Sequence, residues 1–131
     1  MKNLREILRS YVPNFTLHLL KRYINKDCKS ILDVGCGKTS PVKYLPGGIE
    51  KTGIDIFKPY LERAEKNKTH DKYVCGDIRE IEKYFSNKSF DCVISIGVVE
   101  HLQKNEAVSL IKKMENISKK AGFCRNDLWI C

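Results

Sequence analysis

Ile31-Leu32-Asp33-Val34-Gly35-Cys36-Gly37-Lys38-Thr39-Ser40-Pro41 is the stretch that decides the fold. Its apolar run stops at two glycines and passes into residues that suit a helix start, so it reads as a strand, a tight turn and a helix. Gly35 and Gly37 lack a Cβ, which lets the chain take positive φ and leaves bare backbone for a ligand to lie against. Ser40 and Pro41 suit a cap and a first helical position. A glycine turn between a parallel strand and a helix puts its ligand at the carboxyl edge of the sheet, where open α/β sheets bind nucleotides. Two features depart from the dinucleotide pattern G-x-G-x-x-G. Ser40 stands where the third glycine would be, and Asp33 puts an acid just before the turn. That carboxylate would repel a pyrophosphate and welcome a cationic or amino-bearing ligand, which disfavours a nicotinamide oxidoreductase.

Ile31 to Gly37, an apolar pair, an acid, an apolar residue and Gly-x-Gly, resembles the first motif of the class I S-adenosylmethionine-dependent methyltransferases, in particular their type 11-like domains. The resemblance implies a Rossmann-like α/β fold, a mainly parallel sheet flanked by helices, with S-adenosylmethionine as cofactor. It places Asp33 near the amino-acid end of that cofactor and Gly35, Cys36 and Gly37 along the turn.

Further down the chain, Thr52-Gly53-Ile54-Asp55-Ile56 reads as a second strand closed by Asp55, twenty residues beyond Gly35. At that spacing an acid meets the ribose of an adenine nucleotide, and a carboxylate can accept from both hydroxyls. Asp55, followed by Ile56, is therefore a cofactor-binding candidate; a cap for the next helix, with Pro59 in its first turn, is the bland alternative. Lys72 to Cys75 makes a third strand, and Asp77 follows at its carboxyl end. By resemblance, Asp77 lies by the adenine amine and Ile78 adds a backbone contact. Asp77 also suits the cap of a helical segment from Ile78 to Phe85. Ser89 to Ile96 is a fourth strand, apolar enough to be central. Glu100-His101-Leu102 on the rim after it resembles the ending of this strand in small-molecule methyltransferases. Glu100 and His101 are the catalytic candidates, as base and orienter for a substrate hydroxyl or amine; a polar hinge capping the following helix explains them equally well.

The chain divides into a helical preface (1–29), the Rossmann-like domain (30–120) and an atypical tail (121–131). Leu4, Ile7, Leu8 and Tyr11 fall at helical spacing, Pro13 breaks it, and Asn14 can cap a second helix with Leu17, Leu20 and Ile24 on one side. Tyr11, Phe15 and His18 are expected to pack rather than touch a ligand. Glu106 to Lys120 reads as an amphipathic helix whose apolar side carries Val108, Ile111, Met114 and Ile117. Only eleven residues follow Lys120, where the resembled family adds three more strands. The C-terminal strands are thus expected to be missing or reduced, with Leu128-Trp129-Ile130 at most a short strand. The fourth strand would then be an exposed apolar edge able to self-associate.

Length and composition bound the rest. A chain of 131 residues suits one domain. No apolar stretch approaches the roughly 20 residues of a membrane span, and the first residues lack the pattern of a signal peptide, so cytoplasm is the default. Six cysteines without a C-x-x-C read as buried free thiols rather than a metal site. The formal charge of +8 is spread along the chain, so a nucleic-acid acceptor stays a weakly supported option. The function these features imply is methyl transfer from S-adenosylmethionine to an unidentified small-molecule or macromolecular acceptor. The alternative is a non-catalytic S-adenosylmethionine-binding module or an inactive truncated fragment.

Overall fold

The computed structural model describes residues 15–24 and 26–120, together with the backbone of 123–125 and 128–130. Helix α1 covers 15–23; Tyr11 and the Asn14 cap lie outside the described residues. Four strands follow, β1 (Ser30–Val34), β2 (Glu50–Asp55), β3 (Lys72–Cys75) and β4 (Cys92–Ile96), separated by helical segments. They pair in parallel in the order β3-β2-β1-β4. Successive crossovers thus leave β1 to one side for β2 and later return to its other side for β4. The reversal puts a crevice at the carboxyl ends of β1 and β4, the place where sheets of this type hold ligands.

Alternate side chains of β1 face opposite ways, as the strand's two-residue period requires. Ile31 joins Ile94, Val42, Leu45 and the α1 residues Leu19 and Leu20 in one buried cluster, against which Leu17 and Ile24 pack. Leu32 and Val34 face the other side, with Ile54, Ile81, Val93, Leu110, Met114 and Ile117. Phe15 and His18 differ from expectation: both are exposed, because the buried stripe of α1 runs through Leu19 and Leu20 instead.

The β1-to-β2 crossover holds only a 3-10 turn, Pro41–Tyr44, with Ser40 as its cap accepting from the Val42 N–H. Pro46-Gly47-Gly48 prevents a longer helix. Helix α2 (Lys58–Lys66) buries Leu61 and Ala64. A 3-10 segment, Ile78–Lys83, starts at Asp77 and bends at Glu80, where φ is −113° and ψ 30°. A last 3-10 turn, Val99–His101, precedes helix α3 (Lys104–Ile117). That helix starts two residues before the expected Glu106, because Gln103 and Glu106 close a capping box. Its buried stripe is Leu110, Met114 and Ile117. Val108 sits two positions from Leu110, about 200° around the helix, and is 46% exposed instead of packed.

The exposed apolar edge expected at β4 is not found. Two short strands, β5 (Phe123–Arg125) and β6 (Leu128–Ile130), continue the sheet. Strand β6 runs antiparallel beside β4, pairing Ile94 with Ile130, Ser95 with Trp129 and Ile96 with Leu128, while β5 pairs with β6. Three paired residues suffice to occupy the carboxyl half of β4, so the ground for self-association through that strand falls away.

The opposite, amino end of the sheet is tied by Asp91. One of its oxygens accepts from the backbone of Lys29 (2.8 Å) and Ser30 (3.1 Å), and the other from Lys119 Nζ (2.8 Å). The Lys119 ammonium, with the Lys29 N–H, holds the carboxyl below its ordinary range against a smaller opposing effect of burial. A carboxyl depressed in the folded state stabilises the fold above its unfolded pKa and loses that contribution as pH falls through the folded value. Asp91→Asn is therefore expected to lower stability by roughly 1 kcal/mol at pH 7, since the site is partly solvated. The gap between wild type and variant should close as unfolding is measured at progressively lower pH below the ordinary carboxylate range; a gap that stays constant with pH would count against the assigned charge contacts.

Candidate functional site

The glycine turn forms as its residues dictate. Gly35 and Gly37 have φ of 73° and 60°, a region that side chains with a Cβ rarely adopt. A Cβ on Gly35 would also lie 2.5 Å from a methyl of Val98. The N–H groups of Gly35 and Cys36 both donate to Ile54 O on β2, at 2.9 and 3.1 Å. The turn is thus fixed to the neighbouring strand before any ligand arrives.

Asp55 closes β2 and locks the same turn. One carboxylate oxygen accepts from Gly37 N–H at 2.9 Å and the other from Phe57 N–H at 2.9 Å. Since a carboxylate has about four lone-pair sites, each oxygen keeps one for a ligand hydroxyl. The helix cap is Phe57, not Asp55, though the Phe57 contact makes Asp55 part of the turn into α2. Ile56 and Phe57 are 62% and 50% exposed beside it. Phe57 packs edge-on against Tyr60, and Lys38 Nζ lies 5.8 Å from the centre of the Tyr60 ring. Apolar surface left open at a carboxyl edge is a ready platform for a planar base.

At the end of β3, Gly76 N–H donates to Asp55 O at 3.0 Å, bringing Asp77 to the same edge. Asp77 caps its 3-10 segment by accepting from Arg79 N–H at 2.9 Å. The Arg79 side chain grips both carboxylate oxygens, with Nη2 at 2.7 Å from Oδ2, and also reaches Glu106 at 3.4 Å. Those bonds hold the Asp77 carboxyl below its usual range. Ile78 is half-buried and packs on the core cluster, leaving its backbone as the part that can meet a ligand. Arg79 was not legible as a site residue, although an arginine two positions after a capping acid is the available sign.

Asp33, expected near the amino-acid end of the cofactor, lies buried beneath the glycine turn. It is 1% exposed, and one carboxylate oxygen accepts from Ser40 Oγ at 2.6 Å and lies 2.9 Å from His70 Nε2. The other His70 nitrogen lies 2.7 Å from Thr69 Oγ1, whose hydroxyl also reaches Ala64 O at 3.3 Å. His70 itself is buried, and its Cδ2 faces Gly53, where a Cβ would stand 3.2 Å away. Asp33 therefore acts on the turn from within, through Ser40 and its charge. Nothing in the polar stretch Asn67 to Asp71 signals in sequence that Thr69 and His70 fold inward.

Cys36 is also buried, and a Cβ on Gly53 would stand 2.8 Å from its sulfur. Burial first, then the charges of Asp33 and Asp55, push its thiol far up, so its part in the turn is packing and backbone. Glu100 and His101 stand on the rim after β4, with Glu100 Oε1 and His101 Nε2 3.9 Å apart and the His101 side chain 79% exposed. They are near enough for charge attraction and too far for a hydrogen bond. The structure thus gathers Gly35, Cys36, Gly37, Asp55, Ile56 and Asp77 along one edge, with Asp33 beneath and Glu100 and His101 on the adjoining rim.

A parallel sheet with a ligand turn after its first strand and acids after its second and third defines a nucleotide-type cofactor domain. Residues 32–125 match the methyltransferase domain family, and the chain belongs to it. The probable tRNA methyltransferase 9B of Homo sapiens is 29% identical over 100 residues, 76% of this chain and 21% of that protein. The ubiquinone biosynthesis O-methyltransferase of Rickettsia typhi is 33% identical over 95 residues, 68% of this chain and 37% of that one. Among solved structures, a SAM-dependent methyltransferase from Archaeoglobus fulgidus superposes with a TM-score of 0.61 at 27% identity, covering 82% of this chain and 48% of its own. The chain thus spans well under half the length of these curated relatives.

Proposed function

We propose that this chain binds S-adenosylmethionine along the carboxyl edge of the sheet and transfers its methyl group to an acceptor. The observation that carries this reading is the pair of bonds by which Asp55 joins the Gly37 N–H to the Phe57 N–H while keeping lone pairs for two hydroxyls. Bare backbone at Gly35 to Gly37 would lie along the amino-acid part of the cofactor, Ile56 would face the base, and Asp77 with the Ile78 backbone would meet its polar edge. The buried Asp33 charge makes the turn hospitable to a cation. When bound, the cofactor supplies an electrophilic methyl group. This chain's own work is then to align a nucleophile and take up its proton; Glu100 and His101 stand where an acceptor hydroxyl or amine could lose it. The same reading takes the chain as cytoplasmic, on the strength of the free thiols at Cys28, Cys36 and Cys75. No helix among the described residues is long and apolar enough to cross a membrane.

Calorimetry with S-adenosylmethionine, its demethylated product and NAD tests the reading. The first two are expected to bind and NAD is not. Binding of NAD with no signal from either methionine-derived ligand would overturn it.

A further inference from the structure

A cavity of about 570 Å³ lies between α1 and the short β1-to-β2 crossover, bounded by Leu17, Ser40, Lys43, Tyr44, Thr69 and Ile96 among other residues. The crossover that forms one wall holds only the 3-10 turn Pro41–Tyr44, three of whose residues, Pro41, Lys43 and Tyr44, line the cavity. Its size is that of a site for a small organic molecule, far short of what a polynucleotide would occupy. Its lining combines apolar surface from Leu17, Ile96 and Tyr44 with two hydroxyls that are nearly inaccessible, Ser40 at 7% and Thr69 at 3% exposure. Ser40 commits its proton to Asp33, and Thr69 is engaged by Ala64 O and His70. Both are left to offer lone pairs, so they suit a ligand with hydroxyl or amine donors. Lys43, exposed at the rim, adds one positive charge. Ile96 is the last residue of β4, so the cavity touches the carboxyl end of that strand, four residues along the chain from Glu100.

Resting on the methyl-transfer reading, we propose that this cavity is the acceptor pocket. Its occupant is a small, largely apolar molecule with a hydroxyl or amine donor and an acidic substituent that reaches Lys43. The nucleophile nearest Ile96 gains the bond to the methyl carbon as the carbon–sulfur bond of the donor breaks, its electron pair returning to sulfur. The proton released passes to Glu100 or His101.

The probe is 6-hydroxy-2-naphthoate, a fluorescent molecule with these three features, titrated into the wild type, Thr16→Trp, which adds bulk to the α1 wall, and Lys43→Glu, an exposed change that spares the fold. Binding is expected to the wild type, with at least a roughly tenfold loss in each variant, equivalent to ~1.4 kcal/mol. Absence of binding to the wild type, or equal binding to all three, overturns the proposal. In parallel, an extract is incubated with the protein and methyl-labelled S-adenosylmethionine. Label in the low-molecular-weight organic fraction, reduced in Lys43→Glu, supports it; label confined to RNA or protein refutes it. Failure of S-adenosylmethionine to bind by calorimetry would strike the methyl-transfer reading alone, because the naphthoate titration reports on the cavity without it.

Discussion

Asp33→Ala is expected to cost about 3 kcal/mol of folding stability, the largest loss of any single substitution in the site. The change removes the acceptor shared by Ser40 Oγ and His70 Nε2 and leaves a buried imidazole without its partner. Breaking a buried pair from one side costs ~3–5 kcal/mol, mostly the desolvation of the group left behind. Whole domains are stable by only about 5–15 kcal/mol, so the variant should unfold at visibly lower denaturant. His70→Ala should lose a similar amount, and Ser40→Ala only about 1 kcal/mol, the value of one hydrogen bond. Because the same oxygen serves both partners, Asp33→Ala and His70→Ala should be strongly non-additive in a double-mutant cycle. Losses that simply add would show that the two side chains do not meet.

That pair also marks the limit of what the sequence carried. The backbone of the site was legible because its causes are local. Two glycines after an apolar run demand a turn, and an acid ending each of the next two strands falls at the carboxyl edge whatever packs around it. Strand β3 appears with the bounds expected, and β1, β2 and β4 within a few residues of them. Contacts set by the third dimension were not legible. His70 is 37 residues from Asp33 and meets it only because the chain, leaving α2, turns inward at Thr69 before entering β3. Nothing in Asn67 to Asp71 distinguishes that path from a solvated loop. The last strands were legible only in part: Leu128 to Ile130 is the short strand the sequence allowed, but three residues carry too little pattern to show a period, so neither its pairing with β4 nor the strand at Phe123–Arg125 could be read. Val108 went astray because the expected apolar side groups it with Ile111, whereas the stripe that packs is Leu110, Met114 and Ile117 and leaves Val108 on the opposite, exposed face.

Asp55 presents the opposite case to Asp33, a carboxylate whose removal should spare most of the fold and damage the site. In Asp55→Ala the Gly37 and Phe57 N–H groups lose their acceptors, but both lie near solvent and can turn to water, so stability should fall by only about 1 kcal/mol. Affinity for S-adenosylmethionine should fall much further. Charge-assisted bonds to two ribose hydroxyls are worth ~1.5–3 kcal/mol, or roughly ten- to a hundredfold in the dissociation constant. The turn that should cradle the amino-acid end also loses one of its three ties to β2, the one at Gly37, which adds an ordering cost on binding. Asp55→Asn keeps one acceptor oxygen and should fall between the two, because its amide cannot accept from both Gly37 N–H and Phe57 N–H. Asp33→Asn, measured under conditions where it remains folded, should weaken binding less than Asp55→Ala, since the buried group reaches a ligand only through the turn. Calorimetry on the three variants, with denaturant unfolding alongside, separates the effects. An unchanged dissociation constant in Asp55→Ala would reduce Asp55 to a brace for the glycine turn and move the cofactor's ribose elsewhere on the edge.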